Sequence, residues 1–201
     1  HYFANLFPFH LGNRTIDFFR RNYPMPKDCE EFINKEVAEL VRVGAVEQVR
    51  KRPHVVMPLN CAYAKHRMLL DARYINFFTN TPDIKFNNLR DFQRSFLPDD
   101  RLISMDHKKG YYHVKLTKRS RQYVGFGWNG RWYVYCGLPM GWSVSCYIYQ
   151  TLSLTVAMYM HKNGRIEIMT YLDDFGLALR RWKGHEEGMR ERKKGNKRQR
   201  K

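Results

Sequence analysis

"IEIMTYLDDFGLAL", residues 166–179, is the stretch on which the fold turns. Apolar residues lead up to two adjacent aspartates, Asp173 and Asp174, and resume directly after them. Strand, turn and strand is the ordinary reading, because an Asp side chain bonds its own backbone and favours turns. Two neighbouring carboxylates also repel, and at a tight turn they offer hard oxygen ligands to a divalent cation. A metal site needs a third acid from elsewhere in the chain, and groups that handle an anionic substrate.

The third acid is found at "RLISMD", residues 101–106, an apolar strand ending on Asp106. Laid beside the 166–179 hairpin, it brings three carboxylates to one sheet edge. Each alone suits a turn or a cap. Together they suit two divalent cations about 3.5–4 Å apart, the arrangement for in-line displacement at phosphorus. Cations for a triphosphate are found at Lys65 and Arg67, at the tip and return strand of a hairpin over 55–71. An Arg fork clamps phosphate with two bonds and Lys acts as a point charge; solvated hairpin charge is the plainer reading. "CGLPMGW", residues 136–142, precedes a long helix. Its glycines allow close backbone approach to a ligand, and the helix start adds a positive dipole end. A plain turn into a helix fits the same residues.

Residues 1–27 are aromatic-rich and irregular. Asp28 is expected to open a helix, with Glu31 three residues on as in a capping box. Ile33, Val37, Leu40 and Val41 form its apolar stripe, and Gly44 ends it. "GAVEQV" (44–49) reads as a short strand. "HVVMPLNCAYAK" (54–65) and "HRMLLDARYIN" (66–76) read as two more, with Pro58 marking an edge or bulge. A short helix is expected at 87–95. Residues 121–137 read as a hairpin on a type I′ Asn129-Gly130 turn. Residues 143–162 read as a helix, apolar nearly all round and therefore buried, stopped by Asn163-Gly164. This order predicts an α+β fold, an antiparallel sheet with helices packed on one face.

The 201 residues make one domain of ordinary size with room for a subdomain. The chain starts on His, as a fragment or a processed chain does. A hydrophobic share of 43% rules out wholesale disorder. Of the net charge of +17, residues 180–201 carry +8 and the body +9. Body and tail thus both call for a polyanionic partner, nucleic acid ahead of an acidic membrane. The tail has no apolar periodicity and reads as disordered, or helical only when bound. Cys29, Cys61, Cys136 and Cys146 form no C-x-x-C pair, and no His cluster completes a zinc site. Reduced thiols of an intracellular protein fit best. No signal peptide is visible, and the uncharged run at 132–160 falls short of a membrane span.

"SMDHKKGYY" (104–112), "LPMGW" (138–142) and "YLDD" (171–174), in that order and spacing, resemble the palm motifs of reverse transcriptases. "RMLLDARYIN" (67–76) resembles the fingers motif that precedes them. The likeness covers roughly residues 35–180. The "YLDDF" and "LPMGWSVSCYIYQ" stretches are nearest retrotransposon enzymes of the tyrosine-recombinase (DIRS-like) group. The resemblance implies an RNA-directed DNA polymerase, a nucleotidyltransferase of right-hand fingers–palm build. Residues 1–27 would be an extension, 28–100 part of the fingers, 101–179 the palm and 180–201 a basic tail. It also implies roles. Asp106 and Asp173 would hold two Mg²⁺ ions (Mn²⁺ substituting), with Asp174 completing the site. Arg67 would contact the incoming deoxynucleoside triphosphate, with Lys65 assisting. Tyr111 would be the steric gate against a ribose 2′-hydroxyl. Met140 and Gly141 would line the base and template side, and Asp71 and Arg73 would brace the fingers. The implied partners are an RNA or DNA template-primer and deoxynucleoside triphosphates, with no membrane.

Several residues depart from the pattern. Met140 stands where relatives often carry Gln or Phe, and Lys109-Gly110 replaces the usual Asp-Ala before Tyr111. Gly in a helical turn costs about 1 kcal/mol against Ala. Lys109 either brings a cation near the metals or points outward. Beyond Leu179 such enzymes continue into more palm, a primer grip and a thumb, often with a ribonuclease H domain. A basic tail follows here, so the thumb is expected to be absent, supplied by a partner or a missing segment. Two other readings stay open: a catalytically inactive or domesticated remnant that only binds nucleic acid, and an RNA-dependent RNA polymerase. Tyr111 and the LPMGW element point to deoxynucleotides and away from the latter. The expected location is the cytoplasm or nucleus, the tail being a nuclear localisation signal or a disordered terminus.

Overall fold

The computed structural model describes residues 16–84, 86, 89–95, 97, 100–163 and 166–179. Expectations for residues 1–15, for Gly164 as a helix stop and for the tail 180–201 lie outside the described residues. The first half of the chain runs β1 (Phe18–Phe19), α1 (Lys27–Arg42), β2 (Val46–Val49), β3 (Val55–Met57), β4 (Leu59–Ala62), β5 (Arg67–Leu70), α2 (Arg73–Phe77) and α3 (Leu89–Ser95). The second runs β6 (Arg101–Asp106), α4 (Lys118–Arg121), β7 (Gly125–Trp128), β8 (Arg131–Tyr135), α5 (Ser143–Asn163), β9 (Ile166–Tyr171) and β10 (Asp174–Leu179). By contacts the chain divides into two units, residues 1–85 with 107–152, and residues 86–106 with 153–201.

In the first unit, Cys29, Ile33, Val37 and Leu40 recur at helical spacing and put one face of α1 into the core. The expected capping box does not form. The helix begins one residue early, behind Pro26, with no side-chain cap. Asp28 instead turns its carboxylate to His66 Nε2, 3.1 Å away. Gly44, at φ +68°, closes the helix in the left-handed conformation. Five strands pair in the order β1-β3-β7-β8-β2. This sheet is mixed, since β1–β3 and β3–β7 are parallel, and in that it departs from the antiparallel expectation. Pro58 is the reason that "HVVMPLNCAYAK" is not one strand. It has no N–H for a ladder, and the chain leaves the five-stranded sheet there to pair β4 with β5. The "ARYIN" end of the next stretch coils into α2 rather than extending β5, burying Ala72 and Ile75 three residues apart. Asn129 and Gly130, at φ +47° and +69°, make the expected type I′ turn.

In the second unit, β6, β10 and β9 form a wholly antiparallel sheet in the order β6-β10-β9. Phe175, Leu177 and Thr170 are buried on one of its faces. Helix α5 contributes its residues up to Leu152 to the first unit and those from Ser153 to the second. Val144, Ile148 and Tyr149 are buried, but Met158 and Tyr159 are 72% and 70% exposed, so the helix is not buried all round. A helix apolar on every side does not say by composition which side is covered.

Candidate active site

The register of β6 on β10 sets Asp106 directly opposite Asp174, and the register of β9 sets Tyr171 opposite Asp174 on the other side. Side chains along a strand alternate, so directly opposed residues share a face. The turn between β9 and β10 is Leu172-Asp173, and Asp174 is already the first residue of the strand. That differs by one residue from a turn made of the two aspartates. Leu172 has φ +55°, a conformation Leu seldom adopts. Its carbonyl is held by Ser153, whose buried hydroxyl donates to it at 2.8 Å. Ser153 was not foreseen; one Ser in an apolar helix carries no label of its own. Asp106 and Asp174 are exposed and Asp173 half-buried. The donor atoms of the three carboxylates are not gathered to within 4.8 Å of one another, as is natural for like charges. An all-carboxylate donor set nevertheless fits a hard divalent cation such as Mg²⁺.

The candidate substrate-binding residues lie in the first unit. Lys65 ends a short 3-10 turn at the tip of the β4–β5 hairpin and Arg67 starts β5. Both are exposed, and neither makes an ion pair among the described residues. Met140 is 55% exposed. Gly141 has φ +91°, and a Cβ there would come within 2.9 Å of the Leu70 carbonyl oxygen, so this position needs glycine. Asn76 of α2 ties the two motifs together. Its amide donates to the Gly141 carbonyl at 2.9 Å, and its Oδ1 accepts from the Ser143 N–H at 2.9 Å, at the start of α5. Trp142 Nε1 donates to Thr79 Oγ1 at 3.1 Å. Asp71 and Arg73 form a two-bond pair at 2.7 and 2.8 Å, and the Tyr23 hydroxyl donates to Asp71 at 2.7 Å. The Arg73 guanidinium, with smaller help from Tyr23, holds the Asp71 carboxyl well below the usual carboxylate range.

Tyr111 is buried rather than open to solvent, with 6% exposure. Its ring stacks on Tyr149 with centroids 4.8 Å apart, and its hydroxyl lies 3.6 Å from Cys146 Sγ. The two departures before it have local explanations. Lys109 Nζ lies 3.5 Å from Glu36 of α1. A Cβ on Gly110 would run into the Tyr149 hydroxyl and come within 2.7 Å of its Cζ.

Residues 50–199 match the family model described as reverse transcriptase (RNA-dependent DNA polymerase). Over 157 residues the chain is 23% identical to the Retrovirus-related Pol polyprotein from transposon gypsy of Drosophila melanogaster. That match covers 68% of this chain and 14% of the relative. In fold the chain is similar to the crystal structure of Prototype Foamy Virus Protease-Reverse Transcriptase, with a TM-score of 0.70 at 17% identity. The likeness covers 90% of this chain and 24% of that one.

Proposed function

The chain belongs to the reverse transcriptase family, and from that premise we propose that it is the fingers (28–100) and palm (101–179) of a retrotransposon RNA-directed DNA polymerase, of the DIRS-like group. The observation that carries the reading is the register that sets Asp106 opposite Asp174, with Asp173 in the adjoining turn. Asp106 and Asp173 would hold two Mg²⁺ ions, with Asp174 completing the site and Mn²⁺ substituting. When bound, these ions supply the Lewis acidity that activates a primer 3′-hydroxyl and steadies the departing pyrophosphate. The chain's own part is placement. Ser153 fixes the turn that carries Asp173. Arg67 and Lys65 offer exposed cations to the triphosphate. Met140 and Gly141 form an exposed turn for the base and template side, held by Asn76. Tyr111 acts as the gate through a ring that packing keeps from moving aside. The partners are an RNA or DNA template-primer and deoxynucleoside triphosphates. Among the described residues no helix is long and apolar enough to cross a membrane. The place of action is the cytoplasm or nucleus, with the basic tail as a localisation signal.

Primer extension on an RNA template with Mg²⁺ tests the reading, using the chain alone and fused to a thumb from a related element. Asp173→Asn is expected to abolish incorporation while leaving template-primer affinity within about twofold, because phosphate contacts supply most of the binding. Unchanged extension by that variant refutes the metal role. Tyr111→Val is expected to admit ribonucleotides by on the order of tenfold, and unchanged selectivity removes Tyr111 from the site. A chain that binds template-primer yet never extends it, even with the thumb, is a binding-only remnant.

A further inference from the structure

By spacing, the cysteines offer no zinc site; in space, Cys29 joins two other donor residues. Asp28 and Cys29 stand in the first turn of α1, and His66 follows the tip of the β4–β5 hairpin. A carboxylate oxygen of Asp28, the Cys29 sulfur and a ring nitrogen of His66 all lie within 4.8 Å of one another. Among the described residues this is the one group of three such donors drawn so close. Cys61, on β4 of the same hairpin, is the hydrogen-bonding neighbour of the Cys29 thiol and so a fourth donor next to that sulfur. We propose that Asp28, Cys29 and His66, with Cys61 as fourth ligand, form a Zn²⁺ site that clips the β4–β5 hairpin to the start of α1.

Coordination geometry supports the assignment. Zinc takes sulfur at about 2.3 Å and nitrogen or oxygen at about 2.0–2.2 Å, so ligand atoms around one tetrahedral ion lie about 3.3–3.8 Å apart. The Asp28–His66 contact of 3.1 Å is already close to that spacing. The other separations within the Asp28, Cys29 and His66 group, all within 4.8 Å, close with shifts of about an ångström or a little more. Thiolate with imidazole selects a borderline-soft ion and rejects Mg²⁺. The layering suits uptake from solvent, for Asp28 and His66 are exposed above the buried Cys29 and Cys61. His66 is fixed in direction by a left-handed backbone, φ +41°, at the end of the 3-10 turn. Burial, aided by Cys61, pushes the Cys29 thiol up to about 11. A metal that binds there displaces the Cys29 thiol proton to solvent. The consequence is local. Lys65 and Arg67 flank His66 in sequence, so a zinc clip would hold these two cations in place.

The test uses the full chain, reduced and stripped of metal, titrated with Co²⁺ alone and then with Zn²⁺. A thiolate-to-cobalt charge-transfer band with tetrahedral visible bands is expected, displaced by Zn²⁺, together with a zinc-dependent rise in Tm. His66→Ala, an exposed change that spares the core, is expected to weaken Co²⁺ binding by about tenfold or more, Cys29→Ser to reduce the charge-transfer band to about half, and Cys29→Ser combined with Cys61→Ser to remove it. Asp173→Asn should leave both unchanged. Absence of the band in the parent overturns the proposal. So does a band that survives when Cys29 and Cys61 are both changed to Ser, which would place the thiolate at Cys136 or Cys146.

Discussion

Gly110→Ala separates two opposed effects. In a bare helical turn the change stabilises by up to about 1 kcal/mol, since Gly is the poorer helix former. Here the added Cβ would sit 2.7 Å from Tyr149 Cζ, closer still to its hydroxyl, and 3.2 Å from His107 Cβ. Ordinary carbon contacts are about 3.5–4.0 Å, so the overlap approaches an ångström. A ring at the surface would swing away at little cost. Tyr149 cannot, being 2% exposed, stacked on Tyr111 and hydrogen-bonded to His107 Nδ1 at 2.5 Å. Overpacking of this kind costs about 1–3 kcal/mol. The expected net effect is a loss of about 1–2 kcal/mol, a fall in the urea midpoint of roughly 0.5 M. The assay is equilibrium urea unfolding of the variant beside the parent. In a Tyr149→Phe background, which lacks the nearest oxygen, the same substitution is expected to cost less. A midpoint at or above that of the parent would refute the account of why glycine stands before Tyr111.

Three further outcomes follow from the same geometry. Asn76→Ala removes a donor and an acceptor from the LPMGW turn; it is expected to cost about 1–3 kcal/mol, read by urea unfolding, and Asn76→Asp should keep only the bond from Ser143. Ser153→Ala removes the bond to the Leu172 carbonyl. It should cost about 1 kcal/mol in stability but on the order of 100-fold in extension rate, because displacement of a reacting group by about 1 Å has that effect. A rate change no larger than the stability change would deny Ser153 a positioning role. Asp71 has its folded pKa depressed by Arg73, so its contribution is fully present above an unfolded value of about 3.9 and is lost as the pH falls below it. Between pH 4 and pH 2 the parent should lose Tm faster than Asp71→Asn, and parallel Tm curves would show the pair to be worth nothing.

What the sequence made legible was what local pattern governs. The strand that ends on Asp106, the two hairpins, the Asn129-Gly130 turn and the stripe of α1, apart from its exposed Val41, each follow from residues close in the chain. What escaped depends on partners far away. Asp28 has the residue type of a helix cap, and it was a histidine 38 residues on that drew its carboxylate aside. Asn76 reads as one more polar residue at the end of a strand until its two bonds to residues 141 and 143 are seen. The turn of β9 into β10 shifted by one residue because Asp174 is taken into the ladder opposite Asp106, and no feature of "YLDD" itself sets that register.

That register also explains how a chain keeps repelling acids on one sheet. Side chains alternate with a period of two, so a slip of one residue between β6 and β10 would send Asp106 to the opposite face from Asp174. The same slip would bring Leu102 and Ser104 to the face that holds Phe175 and Leu177, and turn Ile103 and Met105 away from it. In the observed pairing Met105 lies opposite Phe175 and Ile103 opposite Leu177, apolar against apolar on the face where Phe175 and Leu177 are buried. Ile103 and Met105 stay 43% and 45% exposed, so these pairs cover apolar surface only in part, and the juxtaposed carboxylates lie at the end of the same register. Full burial of one such side chain is worth about 1.5–3 kcal/mol, and the partial cover of Ile103 and Met105 gains a fraction of that. The repulsion of two exposed charges about 5 Å apart is under about 1 kcal/mol in water. The sheet can thus hold Asp106 against Asp174 before any cation arrives, as the proposed metal role of these acids requires.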